Sequence, residues 1–397
     1  MSGVSRRLRL GVIGAGRRGS EHIPSVLALP DLFDLVAVSD VSAGVAEKAA
    51  ARAEARAYTS PREMLAQEKL DAVVITTPRE THHLLVTLAA QFGVHMFVEA
   101  PLAGTRAMMG VIAEVEAASK LKIVVGEQMW RRPAEPLNRQ AIAAGLIGDV
   151  IRVTSFYGPS GSDSCHHSMA LMRHYAGADV LEIQGMRQQF PAETWTHGLL
   201  KYANGVIGSI TYTSNWLAPI RRGHPRFLSI EGTSGFIITG DGPGHMLRRV
   251  EGGAPRDYPK QMELARDRNG NEYLVRCYYE TDPPIEYRSP FGPHIAHDRD
   301  ARSEGRIFDE LARASELTSL HHAVMNDTAV DYGVAQARRD VELNLLLLES
   351  ARRGTPLPAS ADLLGPETQR ERELHEEFRE TYGADPIQDM ESLIARL

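Results

Sequence analysis

Cysteine is almost absent: the 397 residues contain two, Cys165 and Cys277, far apart in the chain. That argues against a disulfide framework and makes a reducing cytoplasm the expected compartment. No stretch approaches the ~20 apolar residues of a membrane span. The opening MSGVSRRLRL runs into the first apolar segment with no separate hydrophobic signal, which again suits a cytoplasmic protein without a membrane partner. A basic excess is missing too. The net charge of −7 and a pI near 6.1 give nucleic acid nothing to bind. Internal repeats are lacking. What remains is ordinary for a globular chain, 43% hydrophobic and 24% charged, and its length suits two domains better than one core.

The most informative stretch is Leu8 to Gly19, LRLGVIGAGRRG. An apolar run, Leu8 to Ile13, reads as a buried parallel strand and leads into Gly14, Gly16 and Gly19 in G-x-G-x-x-G spacing. In a dinucleotide fold Gly14 permits the tight turn and Gly16 lets the backbone approach a pyrophosphate. Gly19 lets the next helix pack closely, with its free N–H groups facing the phosphate. A helical stretch, His22 to Leu29, follows. The second half of the fingerprint is Asp40, at the end of the strand Leu32 to Ser39, close to the ~20-residue spacing at which an acid holds the ribose hydroxyls. A carboxylate there repels a 2′-phosphate, so NAD is expected in preference to NADP.

From residue 8 to about 128 strands alternate with helices. Helices are expected at Val45–Arg56, Pro61–Gln67, Thr81–Phe92 (with Gly93 as cap) and Arg106–Ser119. Strands are expected at Leu70–Thr76, Val94–Glu99 and Lys122–Gly126. That pattern implies a parallel sheet covered on both faces. After Met129 the character changes. A helix at Leu137–Ala144 precedes strands at Val150–Tyr157, Thr194–Tyr202, Val206–Thr213 and Phe227–Glu231, with turns at Ala203-Asn204-Gly205 and Gly232-Thr233-Ser234-Gly235. The expected organisation is an α/β dinucleotide domain over 1–128, an α+β domain built on a sheet over 129–364, and a charged helical tail over 365–397. The polar residues 241–305 read as an excursion from the second sheet, and Val330–Arg352 as a long helix.

Taken together, GVIGAGRRG, the Pro78-to-His82 spacing, VHMFVEAPLAGT at 94–105, GLIGDVIRV at 145–153, IEGTSGFI at 230–237 and LLLLESARRGTPLP at 345–358 resemble the Gfo/Idh/MocA family of glucose–fructose oxidoreductase and inositol dehydrogenase-like proteins. The segments occur in the family's order over most of the chain. The resemblance implies a Rossmann domain followed by a domain with a large, open, mainly antiparallel sheet. It also implies dimers or tetramers formed through that sheet, NAD as cofactor, and a sugar- or polyol-like substrate. The cofactor residues it implies, beside Gly14, Gly16 and Asp40, are Arg17, Arg18, Thr77, Pro78, His82, Glu99 and Ala100.

Position 100 is the departure. The family's usual Glu-Lys-Pro reads Glu99-Ala100-Pro101, and alanine cannot carry charge or move a proton. A second catalytic element is kept in part. Asp163 and His167, at i and i+4 within SDSCHHSMALMRHYAG, match the family's Asp and His, so His167 is expected to take a hydroxyl proton with Asp163 orienting it. A one-residue shift of register would give His166 that role. His166 and Arg131 are the candidate substrate contacts, and Trp130, Trp195 and Trp216 could line a sugar site. No metal is expected, since no cysteine or carboxylate cluster accompanies the paired histidines. The function this implies is an NAD-dependent oxidoreductase of sugars or polyols. A redox-neutral lyase or glycosidase using bound NAD, and a non-catalytic NAD- and sugar-binding protein, are the alternatives.

Overall fold

Six short strands take up the first apolar runs: β1 (Leu8–Ile13), β2 (Phe33–Ser39), β3 (Arg56–Tyr58), β4 (Ala72–Ile75), β5 (His95–Glu99) and β6 (Ile123–Gly126). Helices α1 (Arg17–Leu27), α2 (Ala43–Arg52), α3 (Pro61–Gln67), α4 (His82–Gln91) and α5 (Arg106–Ala118) connect them. The computed structural model describes residues 6–157, 165–191, 193–213, 227–240, 244–296, 304–359 and 366–397. The strands pair in parallel in the order β3-β2-β1-β4-β5-β6. Every residue of β4 and β6 is buried, as a sheet covered on both faces requires. Local chemistry sets the helix starts. Thr105 accepts a hydrogen bond from Met108 N (3.3 Å) to cap α5, and Ser60 accepts one from Glu63 N (3.2 Å) ahead of Pro61 in α3. One strand escapes the sequence reading. The expected helix to Arg56 stops earlier, because Glu54 takes a left-handed φ of 52° and the chain re-enters the sheet as β3.

The later elements are α6 (Ala134–Ala143), β7 (Val150–Tyr157), α7 (His166–Ala176), β8 (Val180–Phe190), β9 (Glu193–Tyr202), β10 (Ile207–Thr213), β11 (Phe227–Gly232), β12 (Gly235–Gly240), β13 (Met246–Glu251), β14 (Ala254–Pro259), β15 (Gln261–Arg266), β16 (Glu272–Tyr279) and β17 (Ile285–Arg288). The helices α8 (Glu304–Asn326) and α9 (Val334–Arg353), the short β18 (Leu357–Pro358), and the helices α10 (Gln369–Tyr382) and α11 (Met390–Ala395) complete the chain. It divides into two compact units. One comprises Met1–Gln128, Arg313–Arg338 and Glu371–Leu397, the other Met129–Ala312 and Arg339–Arg370.

In the first unit the C-terminal segment is packed in, not laid out as a charged tail. Phe378, Leu393 and Ile394 are buried. Glu371, only 2% exposed, accepts hydrogen bonds from the Arg106 guanidinium (Nε 2.9 Å, Nη2 2.6 Å) and from Arg106 N (2.9 Å), at the start of α5. Charge density along Gln369–Leu397 hides this, because the apolar face is narrow and one of its anchors is a glutamate. Breaking a buried pair strands a charge, so Glu371→Gln should lower the unfolding free energy by about 3 kcal/mol. A urea midpoint unchanged from the parent protein would show that the segment contributes nothing.

His83 on α4 sits under the same segment, its Nε2 2.9 Å from the Pro386 carbonyl. Burial holds its pKa down at about 4, against an ordinary 6.5. The unfolded chain takes up a proton on this ring near pH 6.5, whereas the folded chain refuses it until about pH 4. The stabilising difference is therefore complete above pH 6.5 and is lost as pH falls through that window, by on the order of 3 kcal/mol. His83→Gln should flatten the acid limb of a stability-versus-pH curve between pH 6.5 and 4.

The second unit carries a nine-stranded sheet in the order β14-β13-β12-β11-β7-β10-β9-β8-β18. Only the β7–β10 pair is parallel, so the sheet is large and mixed, close to the mainly antiparallel expectation. Both expected turns are hairpins, linking β9 to β10 and β11 to β12. Two elements carry no clear sequence signal: β8, whose polar residues mask the strand period, and the long α8. The 241–305 region resolves into two parts. β13 and β14 widen the large sheet, and β15, β16 and β17 form a separate three-stranded sheet. A buried hydrogen-bond chain runs between that small sheet and α6. Tyr279 Oη on β16 donates to Asn138 Oδ1 on α6 (2.7 Å), and His245 Nε2 lies 3.1 Å from the same oxygen. Asn138 Nδ2 reaches Tyr175 Oη, which donates to Glu135. Each polar atom in such a chain is costly to leave unpaired, so the network specifies how the pieces dock.

Helices α7 and α9 cover one face of the large sheet, and glycines make room for them. A Cβ on Gly185 would lie 2.3 Å from Leu347 O, and one on Gly208 2.8 Å from Met172 Cε. The opposite face presents Leu199 (53% exposed) and Met186 (64% exposed), with Thr154, Phe156, His197, Ser209 and Thr211 in register beside them.

Candidate functional site

In the first unit the strand order reverses between β1 and β4, and ligands of such sheets occupy the crevice at the carboxyl ends of the strands at that reversal. The cofactor candidates of this unit lie at those ends. Gly14 follows β1 with φ +91°, and a Cβ there would meet Thr77 Cγ2 at 2.9 Å and Thr77 N at 3.0 Å. Gly16 precedes α1 with open space where a Cβ would project. A Cβ on Gly19 would lie 2.1 Å from Gly14 O, so α1 can rest on the loop only with glycine here. The first turn of α1 has neither a side-chain cap nor an acidic residue, leaving its N–H groups for an anion.

Asp40 is bound to the loop itself. Its Oδ2 accepts from Ala15 N (2.8 Å) and its Oδ1 from Ser42 N (3.0 Å), so the carboxylate is already oriented at the end of β2. Thr76 was not anticipated. Its hydroxyl donates to the Gly14 carbonyl and fastens the β4 end to the glycine loop. A threonine ahead of a Thr-Pro pair carries no distinguishing signal in sequence.

Thr77, Pro78 and His82 form one local arrangement. Thr81 Oγ1 lies 2.9 Å from Thr77 Oγ1 and donates to Pro78 O (2.8 Å). The buried His82 ring spans two carbonyls, with Nε2 3.0 Å from Thr77 O and Nδ1 3.1 Å from Leu102 O. Burial disfavours the charged ring and lowers its pKa. A neutral ring has one N–H to donate, so at any moment His82 donates to one of these two carbonyls, after β4 or after β5, while its ring packs between them.

Arg17 and Arg18 diverge. Arg17 is exposed and lies 3.5 Å from Glu21, whereas Arg18 turns inward onto Glu99 at the end of β5, through Nε (3.0 Å) and Nη2 (2.6 Å). His22 Nε2, fully buried on α1, lies 2.5 Å from the same Glu99 oxygen. Ala100 N donates to the other oxygen at 3.0 Å. Burial opposes ionisation of Glu99, but the His22 hydrogen bond and the Arg18 charge outweigh it and hold the carboxyl at about 2. Burial in turn holds His22 below its ordinary 6.5, so the ring is neutral and donates to an ionised Glu99.

In the second unit His166 and His167 open α7 with ring centroids 4.0 Å apart. His166 is buried and His167 half-buried. Arg131 lies with its guanidinium 5.5 Å from the Trp130 ring centroid, and Arg139 flanks the same ring at 5.5 Å. Asp163 and Trp216 lie outside the described residues.

Residues 8–127 match the Gfo/Idh/MocA family, described as an oxidoreductase family with an NAD-binding Rossmann fold. That segment is an NAD-binding Rossmann domain. The chain is 27% identical over 234 residues to inositol 2-dehydrogenase 1 of Saccharopolyspora erythraea, a match covering 58% of this chain and 66% of that protein. It is 25% identical over 262 residues to the NAD(+)-dependent scyllo-inositol 2-dehydrogenase of Bacillus subtilis, covering 60% and 75%. Levoglucosan dehydrogenase in complex with NADH and levoglucosan shares the fold, with a TM-score of 0.69 at 17% identity over 89% of this chain and all of that one. No helix among the described residues is long and apolar enough to cross a membrane.

Proposed function

We propose that this chain is an NAD-dependent oxidoreductase that acts on a secondary hydroxyl of a sugar, polyol or sugar derivative. The observation that carries this reading is the cradle at the β1–β4 reversal, where Gly14 and Gly19 let the loop close tightly on α1 while Gly16 and the uncapped α1 N-terminus stand open to a pyrophosphate. Gly14, Gly16 and the first turn of α1 would hold the phosphates and Asp40 the adenosine ribose. Thr77, Pro78 and the Glu99-Ala100 strand end would border the second nucleotide half. Bound there, NAD supplies a hydride acceptor. His167 would accept the substrate hydroxyl's proton as its carbinol C–H is given up, with Asp163 orienting the ring and Arg131 and His166 bordering the substrate. Alanine at position 100 leaves proton movement to α7, because that side chain has nothing to give.

The relatives named above support the substrate class by their names, inositol and levoglucosan dehydrogenases. The open face of the large sheet, with Met186 and Leu199 bare, supports assembly into a homodimer or homotetramer through that face.

The test incubates purified protein with NAD and a panel of polyols, sugars and glycosides, following NADH and product mass in the same tubes. NADH formed in step with an oxidised product is the expected result. A changed product with no NADH would replace this reading with redox-neutral chemistry. Bound NAD without any product would favour a binding protein.

A further inference from the structure

The α1 N-terminus and the end of β5 are joined by a partly buried ion pair that the glycine cradle does not require. Arg18 is the second residue of α1, next to an arginine that stays in solvent, yet its side chain is only 22% exposed. Both Nε and Nη2 converge on Glu99 Oε1, Nη2 also reaches Gln128 Oε1 at the end of β6 (3.2 Å), and Nη1 meets Glu21. Glu99 is engaged through both oxygens in return. Oε1 receives Arg18 and His22, and Oε2 receives the Ala100 N–H. Arg313 stands 3.9 Å from Glu21, and the buried Glu316 also acts on the Arg18 charge, so two cations face three carboxylates.

A Rossmann sheet binds one nucleotide half on each side of the strand reversal. Asp40 ends β2 on the adenosine side, which leaves Glu99, at the end of β5, on the nicotinamide side. The nicotinamide ring is cationic in NAD+ and neutral in NADH. A fixed anion at that floor favours the oxidised form, and a paired one favours neither.

We propose that Arg18 is a positioning residue of the cofactor site: by locking and balancing the Glu99 carboxylate it sets the relative affinity for NAD+ and NADH. This rests on the reading of the first unit as the NAD site. Removing the cation leaves Glu99 uncompensated and pulls the preference toward NAD+. Removing the anion takes one negative charge from the nicotinamide side, leaves Arg18 with Glu21 as its ion-pair partner, and pulls the preference toward NADH. The two changes therefore act in opposite directions, which loss of packing alone does not produce.

The experiment measures dissociation constants of NAD+ and NADH by calorimetry for the parent protein, Arg18→Met, Arg18→Lys and Glu99→Gln, with thermal midpoints alongside. The ratio Kd(NADH)/Kd(NAD+) should rise about tenfold in Arg18→Met and fall by a similar factor in Glu99→Gln. Arg18→Lys, which keeps the charge but not the fork, should stay near the parent ratio. The isosteric Glu99→Gln and the charge-keeping Arg18→Lys carry the test if Arg18→Met does not fold. Ratios unmoved while midpoints drop would overturn the proposal and make the pair structural. A parent protein that binds neither nucleotide would overturn it together with the NAD site.

Discussion

Gly19→Ala should nearly abolish NAD binding. The added Cβ would sit 2.1 Å from Gly14 O and 3.0 Å from Gly14 C, and both are backbone atoms of the phosphate loop that cannot rotate aside. Either α1 lifts from the loop or the loop moves, and each displaces the N–H groups meant for the pyrophosphate. Overpacking of this kind costs about 3 kcal/mol of stability, occasionally more. A displacement of about 1 Å in a positioned site costs on the order of 100-fold in function. Calorimetric titration with NAD+ and a thermal melt check both parts. Gly16→Ala is the comparison, because its Cβ would meet no atom within 4 Å. A Gly16→Ala protein that folds like the parent but loses NAD affinity would show that the open space over Gly16 is where the nucleotide passes. An unchanged NAD affinity in Gly19→Ala would remove this loop from the binding site.

His167→Asn should lower kcat by on the order of 10²- to 10⁴-fold with the NAD dissociation constant held, the loss expected when a general base is removed. The choice of His167 over its neighbour rests on its i, i+4 spacing from Asp163, and accessibility supports it. His166 is buried at 4% exposure, while His167 is half-buried at the opening of α7 and can meet a substrate proton. Steady-state kinetics on a substrate found in the panel, run in parallel with His166→Asn, separates the two. The large loss falling on His166 would move the catalytic role by one residue. Loss in neither would take α7 out of the chemistry.

Much of this molecule is written locally. The runs at Leu8–Ile13, Leu70–Thr76 and Lys122–Gly126 read as parallel strands because their centres are apolar, and the structure buries their apolar centres. The glycine spacing works because each glycine answers a steric demand of a strand–turn–helix joint. Asp40 is legible for the same reason, since it needs only to stand at the end of β2. Spacing also located the hairpin turns at Asn204-Gly205 and Gly232–Gly235, where the chain must reverse.

Other features have no local mark. An exposed arginine, Arg17, and a half-buried one, Arg18, are neighbours in an identical context, and only the approach of β5 with Glu99 tells them apart. Thr76, His22 and Gln128 take their roles from strands and helices distant in sequence. The C-terminal segment looks like a solvated charged tail until Glu371 meets Arg106, 265 residues away, and Phe378 finds its place beside His83. The residues alone therefore determined the dinucleotide cradle and the class of cofactor, which depend on short-range sterics and periodicity, whereas the return of Arg313–Arg338 and Glu371–Leu397 to the first unit, out of the expected second domain and tail, has no local mark. Tertiary structure alone decided which charges are buried, which partner neutralises each, and how the ends of the strands are tied together. Those outcomes turn on desolvation and pairing, which exist only once distant segments meet.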